Sequence, residues 1–145
     1  MPTTRARTKN KAAVQFAVAR RGLPSAARLR EWTLGHPGIT LRIVGEREGR
    51  RLNLLYRKRN YSTNVLSFST GDIVLCHPVI AREAREQGKA IAAHYAHLVV
   101  HGVLHLRGYD HKNKSEAARM ARAERRILAR LGFADPYAVK SPPPR

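Results

Sequence analysis

Hydrophobic and polar residues alternate with two different periods along the chain, and each period predicts its own kind of element. Alternation with a period of two, which is typical of half-buried strands, occurs over residues 14–18 and again over 39–43. Two further β-rich runs, 65–68 and 73–76, are joined by a tight reversal at residues 69–72. These segments predict a sheet of three or four strands.

Apolar residues spaced three and four positions apart predict helices between and after the strands. The first predicted helix follows the cap Ser25 and carries Leu29, Trp32 and Leu34, and the second covers Leu52, Leu55 and Tyr56. The third runs from Pro78 to Gln87 with Gly88 as its stop, and the fourth runs from Ile91 to the breaker Gly108. The fifth follows the capping pair Asn113 and Glu116. The fold class expected is therefore α+β. We predict a single domain with a small, mostly parallel or mixed sheet of about four strands and helices packed around it.

Length and charge narrow the functional classes. The chain has 145 residues, which suits one domain, and a single cysteine, Cys76, which excludes an internal disulfide framework and fits a reducing compartment. No apolar run approaches the roughly 18 residues of a membrane span. Lys and Arg total 28 against 10 Asp and Glu, a formal net charge of +18. Such an excess indicates a polyanionic partner, most simply nucleic acid.

The two ends of the chain differ from its middle. Residues 1–11 carry four basic residues and no acid, and we interpret them as a flexible basic arm, an organelle transit peptide being the alternative. Residues 139–145 are predicted to be a Pro-rich disordered tail. The folded domain is expected to span residues 12–138.

The histidines of the fourth predicted helix are the most informative feature. His94, His97, His101 and His105 fall on one side of that helix, and His111 follows the break at Gly108. Two histidines four residues apart reach one cation from successive turns, and His111 is placed to supply a third nitrogen. Three imidazoles with a fourth position left for water describe a catalytic type of zinc site, so we predict one zinc ion bound by His101, His105 and His111. The metal site thus lies on a long central helix.

The residue after the first ligand argues against a peptidase. Metzincin peptidases share this histidine spacing but carry a Glu there as general base, whereas this chain has Gly102. A glycine costs roughly 1 kcal/mol in a helix interior relative to alanine, which indicates close packing at that point. A nucleic-acid hydrolase is favoured instead, because a cation can polarise a phosphoryl oxygen and the basic surface would gather the substrate.

Three other residues near the motif are open to two interpretations. His94 and His97 are taken as surface groups or as groups that support the ligands. Glu124 interrupts the apolar face of the last helix, where a bare carboxylate would be costly. It is either paired with a basic residue at the helix edge or accepts a hydrogen bond from a ligand histidine.

Several segments of the chain resemble the motifs of a known protein family. Residues 101–111 are similar to the signature H-G-x-L-H-L-x-G-Y-D-H of the YbeY family of rRNA-maturation endoribonucleases. Residues 52–57, 62–68, 71–75 and 132–133 resemble its L-N-x-x-Y-R, P-T-[DN]-V-L-S-F, G-D-[IL]-x-[IL] and L-G-[FY] segments, in the family's order. The resemblance covers roughly residues 14–137.

The resemblance implies an enzyme: a cytoplasmic, zinc-dependent, single-strand-specific endoribonuclease that acts in rRNA maturation and ribosome quality control. Its metal ligands correspond to His101, His105 and His111, and its functional arginine to Arg57, with Lys58 and Arg59 in the same cationic run as expected substrate-binding residues. A guanidinium can hold a phosphate in a fixed fork. The implied partners are rRNA and a ribosomal subunit or ribosomal proteins, with no membrane and no DNA expected.

Two departures from the family pattern keep an alternative open. Ser62 replaces the family's proline, and only Ser69 and Thr70 separate the third strand from the Gly-Asp strand, where family members usually have a longer connection. The alternative is a ribosome-associated assembly factor that binds rRNA, with a structural zinc and little or no nuclease activity. The open fourth position favours the enzyme, whereas the absent general base and the short connection favour the binding protein.

Overall fold

The computed structural model describes residues 12–138, so the predicted arm at 1–11 and tail at 139–145 lie outside the described residues. The strands are β1 (Ala13–Phe16), β2 (Thr40–Val44), β3 (Val65–Ser67) and β4 (Asp72–Cys76). They form one sheet in the order β1-β2-β4-β3, parallel except for β3, which pairs antiparallel with β4 at the edge. The predicted α+β class with a small mixed sheet is confirmed.

Within residues 12–138, five helices pack around this sheet. They are α1 (Ala26–Glu31), α2 (Glu46–Arg57), α3 (His77–Gln87), α4 (Ile91–Leu106) and α5 (Lys114–Arg130). The Ser25 hydroxyl accepts a hydrogen bond from the Arg28 amide, and Asn113 caps α5 in the same way through the Glu116 amide. Gly88 ends α3 in the left-handed conformation, as predicted.

Two helices differ from their predicted extents. Helix α1 ends at Glu31, so Trp32 is its C-cap and Leu34, with φ of 61°, lies beyond it, although the helix is predicted to carry both. Helix α2 begins at Glu46, six residues before the apolar spacing at Leu52. Its first turns carry charged residues rather than apolar ones, so no hydrophobic period marks them, although acidic residues favour a helix N-terminus.

Strand β4 is buried on both faces, which explains its unbroken apolar sequence. Ile73 and Leu75 face the main core beneath α1, α4 and α5, whereas Val74 and Cys76 face a smaller cluster beneath α2 and α3. The thiol pKa of Cys76 is raised by burial, and the side chain serves as core packing.

Helix α4 is apolar on nearly every side because it lies between the sheet, α3 and α5. No helix within residues 12–138 is long and apolar enough to cross a membrane. Gly102 is where α4 meets the sheet: a Cβ there would lie 2.9 Å from Ser67 Oγ and 3.0 Å from Ile73 Cδ1. The close packing expected at this glycine is therefore present, and a side chain added there would require Ser67 or Ile73 to shift.

Candidate metal centre and adjoining cleft

Three histidines converge where α4 ends. One ring nitrogen from each of His101, His105 and His111 lies within 4.8 Å of the others, and we call these residues the histidine cluster. Their ring centroids are 4.8 to 5.7 Å apart. The structure thus brings together the three residues predicted as metal ligands, and their donor set suits a divalent cation such as zinc.

Local backbone geometry produces this convergence. His101 and His105 are one turn apart on α4, and the helix breaks at Gly108, whose φ of 97° suits glycine. The chain then turns back, and the Asp110 carboxylate accepts a hydrogen bond from the His111 amide at 2.8 Å. The Tyr109 amide donates to the Leu104 carbonyl oxygen at 3.0 Å, and this bond holds the turn against the end of the helix.

Glu124 lies directly behind the histidine cluster. It is 0% exposed, and its carboxylate accepts hydrogen bonds from His101 Nδ1 at 2.5 Å, from His97 Nε2 at 3.3 Å and from the Tyr137 hydroxyl. Of the two interpretations drawn from the sequence, the structure selects the acceptor for a histidine of the cluster. His97 is placed as a supporting group, whereas His94 bonds to Glu83 on α3.

Electrostatics at the site favour the charged form of the Glu124 carboxylate and the neutral form of the His105 imidazole. Burial raises the pKa of the Glu124 carboxyl, but the hydrogen bonds from His101, His97 and Tyr137 outweigh burial and bring that pKa to about 2. Burial, together with the neighbouring His101 and His111, lowers the pKa of His105. A neutral imidazole is the form that ligates a metal ion.

Arg57 lies across a cleft from the histidine cluster. The cleft has a volume of about 570 Å³ and is bounded by the three histidines, by residues 64–69 along the sheet edge and by Arg57. The guanidinium donates a hydrogen bond to the Ser67 carbonyl oxygen at 3.0 Å and lies 5.1 Å from the centre of the Phe68 ring. Arg57 is thereby oriented while the rest of its fork stays exposed.

The other two predicted substrate-binding residues do not line the cleft. Lys58 is the left-handed residue that ends α2, and Arg59 follows it; both side chains are exposed. They directly follow Arg57 in sequence and add positive charge at this end of α2.

Sequence reasoning missed two aromatic residues at the site. Tyr137 follows α5 in a loop, where no periodicity marks it, yet its hydroxyl bonds to Glu124. Phe68 follows β3 and packs edge-on against Tyr56, with ring centroids 5.1 Å apart. Both contacts join different segments of the chain, which sequence patterns do not pair. The one signal in the sequence is Glu124, whose position inside an apolar helix face indicates a buried polar partner.

A small α+β domain with three clustered histidines beside an open cleft and an arginine is typical of a metal-dependent hydrolase. The family model described as Endoribonuclease YbeY matches residues 6–132. The chain therefore belongs to the YbeY family.

Similar proteins carry the same name over nearly their whole length. An Endoribonuclease YbeY from Alkalilimnicola ehrlichii is 53% identical, covering 87% of this chain and 90% of that protein. One from Stenotrophomonas maltophilia is 46% identical, covering 93% and 98%. Among solved structures, the solution structure of a Thermotoga maritima protein matches with a TM-score of 0.50 and 21% identity, covering 88% of this chain and 99% of that one. This likeness supports the fold.

Proposed function

We propose that the protein is a zinc-dependent, single-strand-specific endoribonuclease that hydrolyses rRNA in the cytoplasm during rRNA maturation and ribosome quality control. The observation that carries the proposal is that the histidine cluster and Arg57 line one cleft. Membership of a family whose relatives are named endoribonucleases and the net charge of +18 support an RNA substrate. A ribosomal subunit or its proteins would be the partner.

The histidine cluster would hold the zinc ion. Within the described residues the cluster has three members and no fourth protein ligand, as in catalytic rather than structural zinc sites. When bound, zinc polarises a phosphoryl oxygen and makes water a stronger acid. This arrangement favours the enzyme over an assembly factor with a structural zinc.

The side chains of the chain itself divide the remaining work. Glu124 accepts a hydrogen bond from the Nδ1–H of His101, which orients the ring and leaves Nε2 free to serve as ligand. Arg57, held by the Ser67 carbonyl oxygen, offers its remaining N–H groups to a phosphate in the cleft. Its charge would stabilise the negative charge that increases on that phosphate in the transition state.

A nuclease assay on rRNA fragments tests the proposal. The fragments should contain both single-stranded and paired segments and should be incubated with metal-stripped and with zinc-restored protein. We expect cuts within single-stranded segments only, and only after zinc is restored. Equal cleavage by the metal-stripped and the zinc-restored protein would contradict the metal dependence. The absence of cleavage by either preparation would contradict the proposed endoribonuclease activity.

A further inference from the structure

Exposed apolar side chains are concentrated at the end of α2. Of the five large hydrophobic residues that are highly exposed among residues 12–138, four lie between positions 54 and 61. Tyr56 is 55% exposed and Tyr61 is 51% exposed. Clustered exposed apolar groups commonly mark a binding surface.

Tyr56 differs from the other three because it faces a second cavity. This cavity also has a volume of about 570 Å³, and Leu52, Tyr56, Phe68 and Val74 provide its apolar walls. It shares Arg57, Ser67, Phe68 and Ser69 with the cleft that holds the histidine cluster. The two spaces are therefore neighbours, with the Arg57 guanidinium and the Phe68 ring between them.

The charges that line the two spaces differ. The cleft is lined by Arg57 and the histidine cluster and by no carboxylate among the described residues, so it suits a phosphate. The second cavity is lined by Glu48 and Asp72 and by Arg42, which pairs with Glu48 at 2.7 Å, so apart from the shared Arg57 its lining has no net positive charge to attract a phosphate, whereas an uncharged base is not repelled. Aromatic side chains beside a cationic groove provide the stacking surface that single-stranded nucleic acids use.

We infer that the second cavity is a nucleobase subsite, in which Tyr56 stacks on the base adjacent to the phosphate held by Arg57 and Phe68, packed edge-on against Tyr56, forms the neighbouring wall. The inference rests on the proposed function, because it takes the occupant of the cleft to be RNA. A base inside a duplex is paired and stacked on its neighbours, so only an unpaired base can enter. The subsite would thus supply a physical cause for selecting single strands.

Affinity measurements with matched variants provide the first test. The probe is a single-stranded oligoribonucleotide, and the protein is metal-stripped so that cleavage does not interfere. Tyr56→Ala should raise the Kd about tenfold, as expected for the loss of one stacked base, whereas Tyr56→Phe should retain the affinity. Tyr61→Ala is the control, because Tyr61 is similarly exposed but lines neither cavity. Equal effects of the two alanine variants would overturn the subsite.

Coupling between the tyrosine and the base provides the second test. Zinc-restored protein is given an oligoribonucleotide with a mapped cut, in which the nucleotide on either side of the cut is made abasic in turn. One of the two abasic substrates should raise the KM of the unaltered protein about tenfold and should have no further effect on Tyr56→Ala. A penalty that persists in Tyr56→Ala, or no penalty on either side, overturns the subsite but leaves the endoribonuclease intact. Failure of the unaltered protein to bind or cut the intact oligonucleotide would instead overturn the proposed function.

Discussion

The Glu124 carboxylate accepts a hydrogen bond from Nδ1 of His101 at 2.5 Å, which joins α5 to the histidine cluster through α4. A ligand histidine can rotate about its side-chain bonds unless its second nitrogen is held. Because Glu124 is fully buried, it holds that nitrogen in a place where water does not compete. The carboxylate thereby determines both the orientation and the tautomer of His101.

Glu124→Gln should weaken metal binding. The amide keeps the size of the side chain but removes the charge that favours a proton on His101 Nδ1, so the zinc Kd should rise 10- to 100-fold. Competition with a chromogenic chelator measures this change. Glu86→Gln, an exposed substitution on α3, is the control and should leave the Kd unchanged. Equal zinc affinity in both variants would contradict the role assigned to Glu124.

His105→Ala should remove most of the bound metal. We expect about one zinc per unaltered chain, and the loss of one of three ligands leaves too few donors for a stable site. Elemental analysis measures the zinc content, and far-UV circular dichroism should show that the helices persist. His36→Ala, outside the histidine cluster, should retain one zinc. Stoichiometric zinc in His105→Ala would show that the ligands are misassigned.

Arg57→Ala should slow cleavage far more than it weakens metal binding. In the proposed function the guanidinium stabilises charge on the phosphate, and the loss of one such donor typically costs 100- to 1,000-fold in rate. Single-turnover rates and zinc content should be measured on the same preparation. Lys58→Ala and Arg59→Ala are the controls: they lie outside the cleft and should raise the KM with little effect on the rate at saturation. A parallel loss of zinc in Arg57→Ala would contradict the expectation that this arginine acts on cleavage rather than on metal binding.

The nucleophile should be water rather than the 2′-hydroxyl of the RNA. Gly102 occupies the position of a peptidase's general base, and the cleft lining includes no carboxylate among the described residues. With the three histidines acting as ligands, no side chain there is free to deprotonate a 2′-hydroxyl. An RNA with one 2′-deoxy substitution at the cut should still be cleaved, and mass spectrometry should find no cyclic phosphate among the products of the unmodified RNA. Complete resistance of that substrate would rule out water attack.

The predicted arm at residues 1–11 should contribute to RNA affinity through charge. It carries Arg5, Arg7, Lys9 and Lys11, and each phosphate neutralised on a single strand steepens the dependence of log K on log salt by about 0.7. Deleting the arm should reduce that slope by at most about 3 and leave the cleavage position unchanged. Replacing the four residues by Gln should reproduce the effect, which separates charge from length. An unchanged slope would show that the arm does not contact RNA.

The sequence alone determined the features that depend on local geometry. The spacing of His101 and His105 is one helical turn, and Gly108 allows the chain to return with His111, so the cluster follows from a short stretch of chain. The tight reversal between β3 and β4 and the cap at Ser25 are similarly local. The family signature on which the endoribonuclease prediction depends lies in the same short stretch, residues 101–111.

Only the tertiary structure decided the features that depend on which segments pack together. The apolar spacing at Leu52, Leu55 and Tyr56 located a helix, but Leu55 and Tyr56 are more than half exposed, because α2 buries Gly49 and Asn53 instead. The sequence leaves two interpretations of Glu124 open, a basic residue or a ligand histidine as its partner, and the packing of α5 against α4 decides between them. The position of β3 at the sheet edge, beside Arg57, also comes from long-range pairing. Local periodicity shows that a helix or strand has an apolar face, but packing between segments that are distant in sequence determines what that face contacts.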